Sequence, residues 1–413
     1  MKRIKKLAII LIVFIAPAIA MAQYPETPYS RYGYGVLGDN ATSAQRAMGG
    51  VGYAMNSGRQ INVMNPASYA AIDSLTFLFD IGVDLNNLST TEGDQKGHKL
   101  GGGLNYITMQ FPITKWGGGS IGLLPFSSVG YSFGDKIENG AQSRVGTGGI
   151  SELYLGLAGR PLTGLTVGVN LQYLFGTILH DNYAYTNTSS TSMFERSIEV
   201  RDFRVQLGLQ YSYQLNKQNR ITAGITYTPG NSLTGETFGV YYDASQNEIV
   251  PDTVGYTKMR GLYTLPDTWG AGINWQWNDR LMIEADATYQ PWSKAKFQSF
   301  EEIGNSGFVD RYKGAVGVQY THNPRGGYTS RIQYRAGFSA TRDYWTIMGN
   351  TVREYGAHAG FGLPAPGGKT YINVGIEYKH RAARPQSLVK ENYIFVTLGV
   401  NFNELWFWQN KLR

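Results

Sequence analysis

The 413-residue sequence contains no cysteine, which excludes disulfides, thiol catalysis and cysteine-based metal sites. Histidine is scarce: His98, His180, His322, His358 and His380 are the five, and their spacing matches no ligand set. Four are expected in or beside loops, and His358 inside a strand. Neither H-E-x-x-H nor G-x-S-x-G occurs. No catalytic residue, metal or cofactor is therefore expected, and the chain does not read as an enzyme. Beyond residue 22 no apolar run is long enough for a membrane-spanning helix, and the mean hydropathy is −0.27. The formal charge of +7 includes Lys2, Arg3, Lys5 and Lys6; without them 33 basic residues face 30 acidic ones, or +3. That leaves no basis for a nucleic-acid partner.

What the chain has in excess is 52 Gly, 29 Tyr and 8 Trp, the material of membrane barrel strands and aromatic girdles. Residues 1–22 have the plan of a secretory signal peptide: a basic start, an apolar stretch over 7–16, and Ala20-Met21-Ala22 as cleavage site. Residues 75–85 then alternate, with Leu75, Phe77, Phe79, Ile81, Val83 and Leu85 apolar and Asp80 and Asp84 between them. Period two over such a length reads as a membrane-spanning strand with a polar inner face. Similar patterns recur to residue 402, about fourteen in all. The expected fold is an all-β transmembrane antiparallel barrel with an N-terminal plug in its lumen: signal peptide 1–22, plug 23–73, barrel 74–402 and a periplasmic tail 403–413. Long links at 87–99, 135–148, 179–196, 242–255, 294–307, 342–350 and 380–392 would be external loops. Both termini would be periplasmic, in the cell outer membrane and in contact with its lipids.

Small residues mark the plug, with Gly49, Gly50, Gly52, Asn65, Pro66 and Ala67 as its gate. Gly33-Tyr34-Gly35-Val36-Leu37-Gly38 spells a dinucleotide fingerprint but lacks the strand before it and the helix after it. Inward positions gather charge: Glu284 and Asp286, then Arg331 and Arg335, then Glu377 and Lys379. They form either a path through the lumen or a salt-bridged interior that holds barrel and plug in register. Pro125 sits inside the third strand, where its missing N–H implies a gap or bulge in the wall, or else only a bend.

The runs Ala47-Met48-Gly49-Gly50-Val51-Gly52, Asn65-Pro66-Ala67, Leu265-Pro266-Asp267-Thr268-Trp269-Gly270 and Tyr289-Gln290-Pro291-Trp292-Ser293 resemble FadL-type outer-membrane transporters of long-chain fatty acids and other hydrophobic compounds. The resemblance implies fourteen strands, a luminal hatch, and a kinked third strand with a lateral opening, which places that opening at Pro125. The link at 179–196 departs from the family in being short and polar. The tail, with Leu405-Trp406-Phe407-Trp408, and Gly360-Phe361-Gly362-Leu363-Pro364 look similar to barrel proteins of Bacteroidota, some of which are accessory subunits of secretion or barrel-assembly machines. Two functions are therefore expected to compete. The first is passive transport of a hydrophobic small-molecule ligand; the alternative is a non-transporting docking subunit with protein partners.

Overall fold

The computed structural model describes residues 27–137, 140–186, 191–243, 250–298, 307–365 and 369–405. Fourteen antiparallel strands close into one ring. In chain order they are β1 (Thr76–Glu92), β2 (Gln95–Thr114), β3 (Gly117–Ser128 and Tyr131–Ile137), β4 (Gly140–Leu162), β5 (Leu165–Thr186), β6 (Thr191–Gln214) and β7 (Asn219–Thr228 and Gly235–Asp243). There follow β8 (Val250–Lys258 and Thr268–Trp277), β9 (Leu281–Gln290), β10 (Arg311–Thr321), β11 (Gln333–Ile347), β12 (Asn350–Pro364), β13 (Tyr371–Arg384) and β14 (Lys390–Leu405). The ring closes where β1 pairs with β14 from Thr76↔Leu405 to Thr91↔Lys390. Closure satisfies the backbone of every wall strand that a neighbour covers, which an apolar surrounding demands.

Alternation decides which side chains meet lipid. Leu85, Leu157, Leu207, Ile225, Ile273, Phe338 and Ile376 are exposed on the outer surface, whereas Asp80, Thr226, Asn274 and Glu284 are buried inside. A membrane crossing needs about 9–11 residues per strand, yet β4, β5 and β6 have 23, 22 and 24. The sheet therefore continues well past the apolar belt, and this corrects the expected loops. Residues 87–99 are mostly a hairpin paired as far as Glu92↔Gln95; 135–148 pair as far as Ile137↔Gly140, and 342–350 as far as Ile347↔Asn350. Likewise β5 and β6 pair out to Tyr185↔Thr191, and β7 and β8 out to Asp243↔Val250. His98, His180 and His380 consequently lie in strands, as His358 does.

Thr27 is the first described residue, and its N–H donates to the Gly130 carbonyl while its hydroxyl donates to Glu391, 2.5 Å away. Glu391 pairs with Thr90 on β1, so Thr27 lies at the far end of the ring from Thr76 and Leu405. The termini themselves, which were expected to share one end, lie outside the described residues. From there the chain descends through a two-residue strand, Val36–Leu37, and a one-turn helix, Ser43–Arg46, to the turn Pro66–Ala71. Wall glycines give it room: a Cβ on Gly317 would come within 2.7 Å of the Met48 side chain. At the other terminus β14 runs to Leu405, so the tail begins later than residue 403, and Trp406, Phe407 and Trp408 lie outside the described residues.

Candidate functional site

The lumen is built in layers. At the far end Tyr29, Tyr34, Trp292, Tyr344 and Trp345 are all at most 2% exposed, packed with Tyr263, Ile178 and Val200 into one apolar cluster. Trp292 and Tyr344 stack with ring centroids 4.3 Å apart. Tyr344 and Trp345 turn their polar atoms to the N-terminal segment: Tyr344 Oη donates to Gly35 O at 2.6 Å and Trp345 Nε1 to Tyr32 O at 2.9 Å. Aromatic bodies supply burial and their polar atoms find partners, as buried Tyr and Trp require.

Below this cluster, charge takes over. Arg46 Nε meets Glu377 Oε1 at 2.7 Å, and Lys313 Nζ meets Asp39 Oδ1 at 2.7 Å. Lys379 lies 3.6 Å from both Asp39 and Glu354, and Arg381 joins Glu354 to Glu391. Burial pushes the Asp39 carboxyl up, but the ammonium groups of Lys313 and Lys379 outweigh it and hold that carboxyl well below the usual range. Two carboxylates of β9 grip backbone: Asp286 Oδ2 accepts from Gly52 N at 2.6 Å and Tyr53 N at 3.0 Å. Glu284 Oε1 accepts from Ala54 N at 2.9 Å.

Gly49 and Gly50 have φ of 82° and 75°, a left-handed conformation that glycine adopts without penalty. Gly52 supplies one of the N–H groups on Asp286. Asn65 Oδ1 accepts from Ala67 N, its Nδ2 donates to Tyr53 O at 2.7 Å, and Pro66 opens the turn that carries Ala67. Glu284, Asp286 and Glu377 all touch the N-terminal segment. The hydrogen bonds of Arg335 go elsewhere: it donates to Gln333 on its own strand, to Gln319 on β10 and across β12 to Asn373 on β13. Arg331 is a correction, because it lies in a short turn, Thr329–Arg331, ahead of β11 and not on an inward strand position. The string from Gly33 to Gly38 contains the strand Val36–Leu37, and the next helix is the single turn Ser43–Arg46, which begins five residues after Gly38, so neither element stands where a dinucleotide loop needs it. Among the described residues no group of three or more metal-ligating side chains gathers.

At Pro125 the wall changes. Pro125 pairs with Ser151 of β4 and the register shifts before Ser127↔Ile150. On the other side the β2–β3 ladder ends at Ile107↔Leu123. Val36 and Leu37 then pair antiparallel with Ser128 and Ser127, and Gly38 N donates to Phe126 O at 2.8 Å. Behind the parting lies a cavity of about 430 Å³ lined by Leu104, Leu123, Leu124, Pro125 and Phe395 among others.

Several solved structures share this fold. The Pseudomonas putida toluene transporter TodX superposes with a TM-score of 0.61 at 14% identity, covering 90% of this chain and 100% of its own. A Pseudomonas aeruginosa FadL homologue gives 0.62 at 12%, with 89% and 99% covered. The Ralstonia pickettii toluene transporter TbuX gives 0.53 at 14%, with 88% and 98% covered. At such identities the likeness is one of fold. A comparison with curated proteins finds no match to the sequence. One family model spans residues 3–413, almost the whole chain, and by that match the chain belongs to the BamG family.

Proposed function

We propose that this barrel is a non-transporting docking subunit of an outer-membrane assembly, of the secretion or barrel-assembly kind, with the end that carries Thr76 and Leu405 in the periplasm. The observation that carries this reading is the filled lumen. A solute moving along the axis would have to displace an aromatic cluster with Trp292, Tyr344 and Trp345 at most 1% exposed. It would then meet a segment tied down by Arg46–Glu377, Lys313–Asp39 and the carboxylates of Glu284 and Asp286. Breaking a buried ion pair by withdrawing one partner costs about 3–5 kcal/mol, which suits a permanent fixture better than a hatch that opens at each passage. The name of the family, BamG, favours a barrel-assembly machine. Strands of 22 to 24 residues add sheet beyond the membrane on which a partner could sit.

A second reading, passive passage of hydrophobic compounds, draws support from the cavity of about 430 Å³ behind the parting at Pro125. The toluene transporters of the same fold are in line with it. Affinity purification of the tagged full chain from native outer membranes in mild detergent separates the two. A stoichiometric protein partner upholds docking, while a lone barrel with a bound apolar compound and no partner overturns it in favour of transport.

A further inference from the structure

The parting of β2 from β3 leaves main chain without a partner inside the wall. From Thr114 to Ile107 β2 is paired with β3. Beyond that point β2 continues to Gln95 with β1 as its ladder partner, and among the described residues no ladder covers the β3-facing edge of residues 101–106. Alternate residues of an antiparallel strand turn both N–H and C=O to the same side, so this edge presents donors and acceptors to the gap. It lies at membrane depth. Ile113 and Leu100 are exposed apolar residues on β2, about 43 Å apart along a strand and thus about 33 Å in height at a tilt of ~40°. Residues 101–106 fall in the far half of that belt, where lipid cannot satisfy a peptide group.

Three further observations point to what completes the wall. The cavity of about 430 Å³ opens directly on this edge, within the size range of ligand sites. Two carboxamides line it unpartnered: Asn86, 3% exposed, with both Nδ2 and Oδ1 unpaired, and Asn105 with Nδ2 unpaired. Finally, the opposite bank is already closed by strand addition, since Val36 and Leu37 are paired with Ser128 and Ser127. Hydrocarbon would fill volume but would leave both carboxamides and the peptide groups without partners. A polypeptide strand supplies all of them, and Gly101, Gly102 and Gly103 place no side chain in the way of its approach.

We propose that the β2 edge at residues 101–106 is a strand-acceptor site, taking one extended segment of a partner polypeptide by β-augmentation. The segment's backbone pairs with β2, one row of its side chains enters the cavity beside Leu104 and Phe395, and the other row faces lipid. Only the source of the segment rests on the docking reading.

The test uses the full chain in lipid nanodiscs and a dansyl-labelled decapeptide of alternating valine and threonine flanked by lysines. Two companions carry N-methyl groups at the odd or the even residues. Saturable binding of the parent peptide is expected, with at least one companion weakened tenfold or more, because its methyl groups remove the donors that face β2. Replacing Asn86→Leu and Asn105→Leu together should weaken the parent peptide about threefold to tenfold. Heat-modifiable migration of that variant monitors folding. Equal binding of all three peptides would mean apolar partition into the cavity and would overturn the proposal. Absence of peptide binding while a stoichiometric partner still co-purifies would overturn this site and leave the docking reading in place. A peptide that binds as expected to a barrel with no co-purifying partner would uphold the site and overturn that reading.

Discussion

Arg46 and Glu377 test how the N-terminal segment is held. Their contact at 2.7 Å joins a side chain 12% exposed to one 1% exposed, so neither charge has much water. Replacing Arg46→Met keeps an apolar stem but leaves the Glu377 carboxylate with His358 Nδ1 at 3.4 Å and Lys379 Nζ at 3.9 Å. Removing one member of a buried pair costs about 3–5 kcal/mol, and these residual partners place the variant near ~3. Glu377→Met instead leaves the guanidinium with the Phe395 ring at 5.4 Å and the more distant carboxylates of Asp84 and Asp39, for about 3 kcal/mol. The double variant removes both charges and should cost no more than about 1 kcal/mol. Hydrogen exchange read by mass spectrometry over residues 43–64, in nanodiscs, measures the opening of the segment directly. With 1.4 kcal/mol per factor of ten, each single variant should exchange about a hundredfold faster and the double variant only slightly faster. Additive single effects, or singles indistinguishable from the parent, would refute the claim that this pair anchors the segment.

Other consequences follow from the same geometry. A Cβ at Gly337 would collide with the backbone of Met48 and Gly49, so Gly337→Val should displace the segment while the ring still closes, giving faster exchange at residues 47–50 with unchanged heat-modifiable migration. Trp292→Ala empties the centre of the far-end cluster, with an expected cost of about 3–5 kcal/mol read as a lowered unfolding temperature; planar-bilayer recordings should show whether small ions then pass. The Asp39 carboxyl is held low by Lys313 and Lys379, so its contribution is complete above its unfolded range near about pH 4 and is lost as pH falls through the lower folded value. Protection of residues 36–46 should therefore stay flat from pH 8 to 5, decline only below about 4, and start lower with less decline in Lys313→Met. Asp39 is 26% exposed, and that screening keeps the effect modest.

Lipid imposes its own pattern on a sequence, which is why residues 75–85 could be read as a strand with the right faces: Phe77 and Phe79 had to be apolar and Asp80 had to turn inward. Outside the membrane both faces of a strand are wetted and no period survives. Residues 95–99 are all exposed, so their pairing with β1 left no mark in the alternation, and five hairpins passed for loops. The Arg331 misplacement has a similar origin, since the alternation Arg331, Gln333, Arg335 continues smoothly across the strand start at Gln333. The plug residues announced themselves by size alone. What holds them, Arg46 with Glu377, spans 331 positions, and nothing local in either stretch names the other. The far-end cluster did carry a signal: Tyr344-Trp345 stands in a stretch expected to be an external loop, where two adjacent large aromatics have no reason to be unless they are buried.

A docking barrel serves an assembly and conducts no solute. Depleting the chain in its native cell, and following in parallel the outer-membrane content of other β-barrel proteins and the uptake of labelled toluene and decanoate, tests this most directly. Barrel content should fall, or a partner complex should be lost, while uptake of both compounds stays at the parental rate. Uptake that drops with depletion, alongside unchanged barrel proteins and intact complexes, would contradict docking and establish the transport reading.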